Sequence, residues 1–256
     1  MNQPSKSIDI NCDMGEGFGP WVMGRDLELL DHITSANIAC GFHAGDFMTM
    51  HQVVGAALQK GVRVGAHPGL PDLQGFGRRA MKVSAAEVHA MVIYQVGALA
   101  AFARAAGGGL SHVKPHGALY NMAAKERDLA DAIAAAVRAV DARLVMFGSG
   151  EILRAAQAAG LHTAAEVFAD RSYQNDGSLT PRSHAGAMIE DESQAAAQVL
   201  QMVQQGSVTS VSGRVVPIAA QTLCIHGDQP GAHDFARHLR AVLQSNGIRV
   251  AAPASL

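Results

Sequence analysis

Cysteine is scarce in this chain of 256 residues. Cys12, Cys40 and Cys224 are the three it has. The count is odd, the spacings are long and no CxxC occurs, which excludes a disulfide framework and leads us to expect a reducing, cytoplasmic setting. Cysteines so placed read as small strand hydrophobes rather than nucleophiles. Charge is also thin: 16% of residues, with a net charge of −2. No basic surface advertises nucleic acid. The opening "MNQPSKSIDI" has no apolar stretch of the kind a signal peptide carries. No run is read as approaching the ~20 apolar residues of a membrane span. Several motifs are missing as well. Without GxxxxGK[ST] there is no Walker-type ATP site. Gly15, Gly17 and Gly19 have the wrong spacing for a dinucleotide fingerprint. "FGSGE" at Phe147–Glu151 is not a nucleophile elbow, and no HExxH occurs. Gly148–Gly150 ahead of a helix offers at most a weak anion site.

What is present is a large apolar fraction, 48%, enough to fill a sizeable core and to argue against disorder. Short apolar runs alternate with longer helical patterns. Strands are predicted at Ile8–Cys12, Asn37–Cys40, Arg63–Ala66, His112–Lys114, Leu144–Phe147, Thr163–Val167 and Thr222–His226. Helices are predicted at Asp26–Thr34, Asp46–Lys60, Ser84–Ala106, Glu126–Val140, Glu151–Ala159, Asp191–Gln205 and Gly231–Ser245. "SAAE" at Ser84–Glu87 is a capping box. Gly61, Gly107, Gly160, Gly206 and Gly247 stand where helices should stop in left-handed caps. Regular βα alternation implies a parallel sheet. About seven units without a break favour a single (β/α) barrel domain over residues 1–256, with an open doubly wound sheet as the alternative. One long irregular segment, Asp170–Ile189, has the length of a functional loop.

The polar residues share a position. Strand one runs out into Asp13 and Glu16, and strand two into His43 and Asp46. Strand three reaches His67, and strand four carries Lys114 and His116. Strand six exits into Asp170, Arg171 and Tyr173, and strand seven into His226 and Asp228. In a parallel barrel all these exits lie on the face where active sites are built. Side chains alternate along a strand, so Asp9, Asn11 and Asp13 share one face. His112, Lys114 and His116 do the same, and polar residues are expected to point inward. A buried lysine needs a partner, which makes Lys114 a functional candidate. His32, His51, His89, His162, His184, His233 and His238 fall on predicted helices or loops and read as surface or packing residues.

The segments "DINCDMGEGFGPW", "ANIACGFHAGD", "GAHPGLPDLQGFGRR", "VKPHGALYN", "EVFADRSYQNDGSLTPR" and "LCIHGD" together resemble the LamB/YcsF family of 5-oxoprolinase A subunits, from about Ile8 to Ala252. The resemblance implies a seven-stranded β/α barrel related to polysaccharide deacetylases. It also implies ATP-dependent opening of 5-oxoproline to L-glutamate together with subunits B and C, with ATP handled elsewhere in the complex. Asp13, or one of His43, His67 and His116, would act as general base, with His226 also placed in the catalytic group. Lys114 would polarise the lactam carbonyl. Arg171 would hold the substrate carboxylate, with Glu16, Tyr173 and Asp228 lining the substrate site. Two other readings stay open. One is a divalent-metal hydrolase acting alone, with Asp13, His43 and His67 as ligands. The other is a non-catalytic subunit that binds substrate.

Overall fold

The computed structural model describes residues 6–225, 227 and 231–253. Seven parallel strands close on themselves: β1 (Ser7–Met14), β2 (Ser35–Ala39), β3 (Arg63–His67), β4 (His112–Val113), β5 (Val145–Gly148), β6 (His162–Phe168) and β9 (Thr222–Ile225). β9 pairs back onto β1, with Ile10 opposite Leu223, so the sheet is a barrel and not an open doubly wound layer. A short strand, β10 (Arg249–Val250), pairs with the first residues of β1. A hairpin of β7 (Ser207–Thr209) and β8 (Val215–Pro217) lies outside the barrel.

Helices α1 (Asp26–Leu29), α2 (Phe47–Gln59), α3 (Ala85–Ala105), α4 (Gly117–Ala123), α5 (Arg127–Val140), α6 (Glu151–Ala158), α7 (Glu192–Gln205) and α8 (Ala232–Ser245) connect the strands. The expected capping box forms on α3: Glu87 N donates to Ser84 Oγ, and Ser84 N to the Glu87 carboxylate. The five predicted stop glycines all take positive φ. Three departures from the sequence reading stand out. α1 ends five residues earlier than expected, α4 was not foreseen, and neither was the hairpin. α3 also corrects the reading of hydropathy, because its 21 residues are long and apolar enough to cross a membrane. It serves here as a barrel helix, burying Val88, Val92, Val96 and Leu99.

The main apolar core lies between strands and helices, built from Ile8, Ile10, Val64, Val113, Leu99 and their neighbours. The barrel interior is different. Its apolar part is a small separate cluster of Val145, Phe147 and Ala164. The remainder is polar, where ordinary barrels stack branched aliphatics. Asp9 accepts hydrogen bonds from Thr34, Ser35 and Thr222. Asn11 donates to Thr222 Oγ1 at 2.7 Å, and Asn37 donates to Asn11 Oδ1 at 2.8 Å. His112 Nε2 meets Asn37 Oδ1 at 2.8 Å, and the ring stacks on Phe147. The parity reading therefore holds: the alternate polar residues of β1 and β4 face inward.

Candidate active site

The C-terminal ends of the strands open onto a cavity of about 680 Å³ lined by Asp13, Glu16, His67, Lys114 and His116. At its floor Lys114 Nζ lies 2.8 Å from Asp13 Oδ1, 2.9 Å from Glu166 Oε1, 3.0 Å from Cys224 Sγ and 3.3 Å from Asn11 Oδ1. Burial disfavours the ammonium, yet Asp13, Cys224 and Glu166 together hold its pKa well above the ordinary lysine value. Three protons thus face four acceptors. The ammonium is the counter-ion that ties Asp13 to Glu166. Glu166 was missed as a site residue. Its place two residues after Ala164, on the inner face of β6, was the available signal.

Above that floor the histidines gather. His67 Nδ1 is 2.7 Å from the Lys114 carbonyl oxygen, and His116 Nε2 is 2.8 Å from that of Phe76. A carbonyl can only accept, so both of those nitrogens carry the ring proton. The nitrogens that remain, His67 Nε2 and His116 Nδ1, face each other at 2.9 Å. Two lone pairs at that distance repel unless a proton or a metal ion sits between them. Asp13 Oδ2 is 3.3 Å from His67 Nε2, and Glu16 Oε1 is 3.6 Å from both His43 Nε2 and His116 Nδ1. His43 stacks on His116 at 3.7 Å between centroids, and neither of its buried ring nitrogens makes a hydrogen bond among the described residues. Burial drives the pKa of His43 well below normal and that of His116 down to about 3. Ligand atoms of Glu16, His43, His67 and His116 all fall within 4.8 Å of one another, a set able to hold a metal ion. This set differs from the one expected: Glu16 and His116 join His43 and His67, while Asp13 is engaged by Lys114.

The long segment after β6 folds back on itself through bridges between Arg171 and Met188 and between Tyr173 and Leu179. Arg171 is buried. Its Nε donates to Ala187 O and its Nη2 to Thr180 O. That commits two of the fork's three nitrogens to the loop itself, so Arg171 shapes the cavity wall it lines. Tyr173 is buried too, and its hydroxyl accepts from Phe168 N. It braces the cavity wall it lines. His226 and Asp228 lie outside the described residues.

Fold and site together define a (β/α)7 barrel with a histidine–carboxylate centre at its C-terminal mouth. The profile of the LamB/YcsF family matches residues 8–256. A protein of Geobacillus kaustophilus (strain HTA426), named as the A subunit of 5-oxoprolinase, is 57% identical, over 97% of this chain and 97% of its own length. One of the same name from Bordetella parapertussis (strain 12822 / ATCC BAA-587 / NCTC 13253) is 58% identical, over 96% of this chain and 98% of its own. The crystal structure of a lactam utilization protein from Thermus thermophilus superimposes with a TM-score of 0.92 at 45% identity, covering 96% of this chain and 100% of that one. The chain belongs to the LamB/YcsF family.

Proposed function

We propose that this chain is the A subunit of an ATP-dependent 5-oxoprolinase, a hydrolase that opens 5-oxoproline to L-glutamate together with subunits B and C. The observation that carries this reading is the near full-length match to chains bearing that name. The chemistry agrees with it. A five-membered lactam is a nearly unstrained amide that glutamate re-forms spontaneously, so opening benefits from coupling to ATP. The chain has no recognisable nucleotide loop, which supports ATP being handled by the partners.

Within the site, the Lys114 ion pair orients Asp13 so that Oδ2 faces His67 and the cavity. Asp13 is the more exposed partner of that pair, and we assign it the proton of the attacking water. The opposed lone pairs of His67 and His116, with the His43 nitrogens that make no hydrogen bond among the described residues, fit a divalent cation of the zinc type. Held by Glu16, His43, His67 and His116, such an ion would supply Lewis acidity at the ring carbonyl.

The test begins with turnover. The purified chain given 5-oxoproline and ATP should show little activity until subunits B and C are added, and full turnover alone would contradict the reading. In the complex, Asp13→Ala and His116→Ala should abolish activity while the chain stays folded by circular dichroism. Elemental analysis of the chain should find a divalent metal that is lost in the His67→Ala, His116→Ala double variant.

A further inference from the structure

Twelve large hydrophobic residues are exposed among the described residues, and six of them fall on two short stretches. Phe18, Trp21, Val22 and Met23 lie in the loop after β1, and Phe47 and Met48 open α2 after β2. Trp21 is 71% exposed, Val22 88%, Phe47 71% and Met48 63%. Residues 17–24 carry no charged side chain. The two stretches are built against each other. Phe18 and Trp21 exchange backbone hydrogen bonds of 2.9 and 3.0 Å. Gly19 N donates to Asp46 Oδ2 at 2.7 Å, while Asp46 Oδ1 accepts from Met48 N at 2.7 Å. Gly45 takes φ 78, and a Cβ on it would lie 2.7 Å from the Gly15 carbonyl oxygen. One carboxylate and one close approach thus hold both stretches in a single preformed surface.

Contiguous exposed apolar patches larger than a few hundred Å² mark interaction sites. Scaled from the area of whole aromatic side chains, the six residues leave on the order of 700 Å² open. Each partner in a standard protein–protein interface contributes ~800 Å². The aromatic and methionine content is that of an interface core rather than of ordinary surface. The place of the patch in the barrel says what covers it. Glu16, two residues before Phe18, lines the cavity, and His43, four residues before Phe47, belongs to the same histidine centre. Whatever seats on these loops stands beside the active-site mouth. An ATP-dependent reaction needs a nucleotide-binding body there. This chain has no recognisable nucleotide loop, so a second copy of it would bring none. Its relatives are named as one subunit of a larger enzyme. We infer that the patch around Trp21 and Phe47 is the docking surface for the ATP-handling partner subunits, which seat on the rim of the cavity. This rests on the 5-oxoprolinase reading and adds to it the surface through which the subunits meet.

Trp21 is the one tryptophan of the chain, so the patch carries its own probe. The full chain labelled with 5-fluorotryptophan gives a single fluorine resonance, which should shift when unlabelled subunits B and C are added. Trp21→Ala and Phe47→Asp should each weaken the complex roughly 30-fold or more in sedimentation, as for a hot-spot residue. Both side chains are exposed, so the urea midpoint of the isolated chain should not change. Val215→Asp, at an exposed apolar residue of the β7–β8 hairpin, serves as control and should leave assembly intact. The inference is overturned if the complex forms with the fluorine resonance unmoved, or if both patch variants assemble as well as the unsubstituted chain. It is equally overturned if Val215→Asp is the variant that loses assembly. An isolated chain that sediments as a dimer, and that Trp21→Ala returns to a monomer, would assign the patch to a second copy and overturn it as well. No complex between the unsubstituted chain and subunits B and C would instead overturn the 5-oxoprolinase reading, and this inference with it.

Discussion

Gly65 has no side chain for a reason found on the next strand. A Cβ there would sit 2.1 Å from His112 Nε2, inside the ring that hydrogen-bonds Asn37. Gly65→Ala must push the imidazole aside and break that bond. We expect a loss of about 2–4 kcal/mol, combining overpacking with an unsatisfied buried group, read as a lower urea midpoint. Residues of this kind show how far the sequence could be followed. The inward phase of Asp9, Asn11, Asp13, His112 and Lys114 was readable because a strand alternates with period two. The partner of each was not readable. Lys114 meets Glu166 and Cys224 across the barrel, on strands far later in the chain. The carbonyls of Thr180 and Ala187 that accept from Arg171 were not readable either.

Elements with local causes were readable in the same way. The α3 capping box and the glycine stops depend on a few adjacent residues. The pieces that escaped are short: α4 has seven residues and β7 and β8 three each. Segments of that length carry too little periodicity to announce themselves and exist because tertiary contacts hold them. One cap does more than end a helix. Asp46 Oδ1 accepts from Met48 N and Thr49 N at the start of α2, while Oδ2 accepts from Gly19 N at 2.7 Å in the loop after β1. Asp46→Ala should cost about 1–2 kcal/mol in urea unfolding. It should also raise hydrogen exchange in the β1–α1 loop, since that loop loses its tie to α2.

For the molecule as a whole, the polar interior makes stability depend on pH in two opposed ways. Burial pushes the Asp9 carboxyl up to about 6 from an unfolded value of 3.8. The folded state therefore binds that proton more readily, and this group contributes relative stability as the pH falls from above 6 toward 4, about 3 kcal/mol in all. Burial pushes His112 down to about 3 from 6.5. Its contribution is present above pH 6.5 and is lost as the pH falls toward 3, about 5 kcal/mol at full extent. The histidine effect is larger, so stability should fall between pH 6.5 and 4. Asp9→Asn removes the opposing contribution and should steepen that fall in urea unfolding at pH 6.5 and 4.5. An unchanged slope would show that Asp9 takes up no proton in that range.

The βα alternation, the helix caps, the inward parity of the polar strand residues and their clustering at strand exits all follow from neighbours in the chain, and the sequence determined them unaided. Closure of β9 onto β1, the ion pairs of Lys114, the opposed nitrogens of His67 and His116, and the apolar patch shared by the loops after β1 and β2 depend on how the strands and loops come together in space. Only the tertiary structure decided those, because hydrogen bonds and charges act over a few ångströms, whatever the separation along the chain.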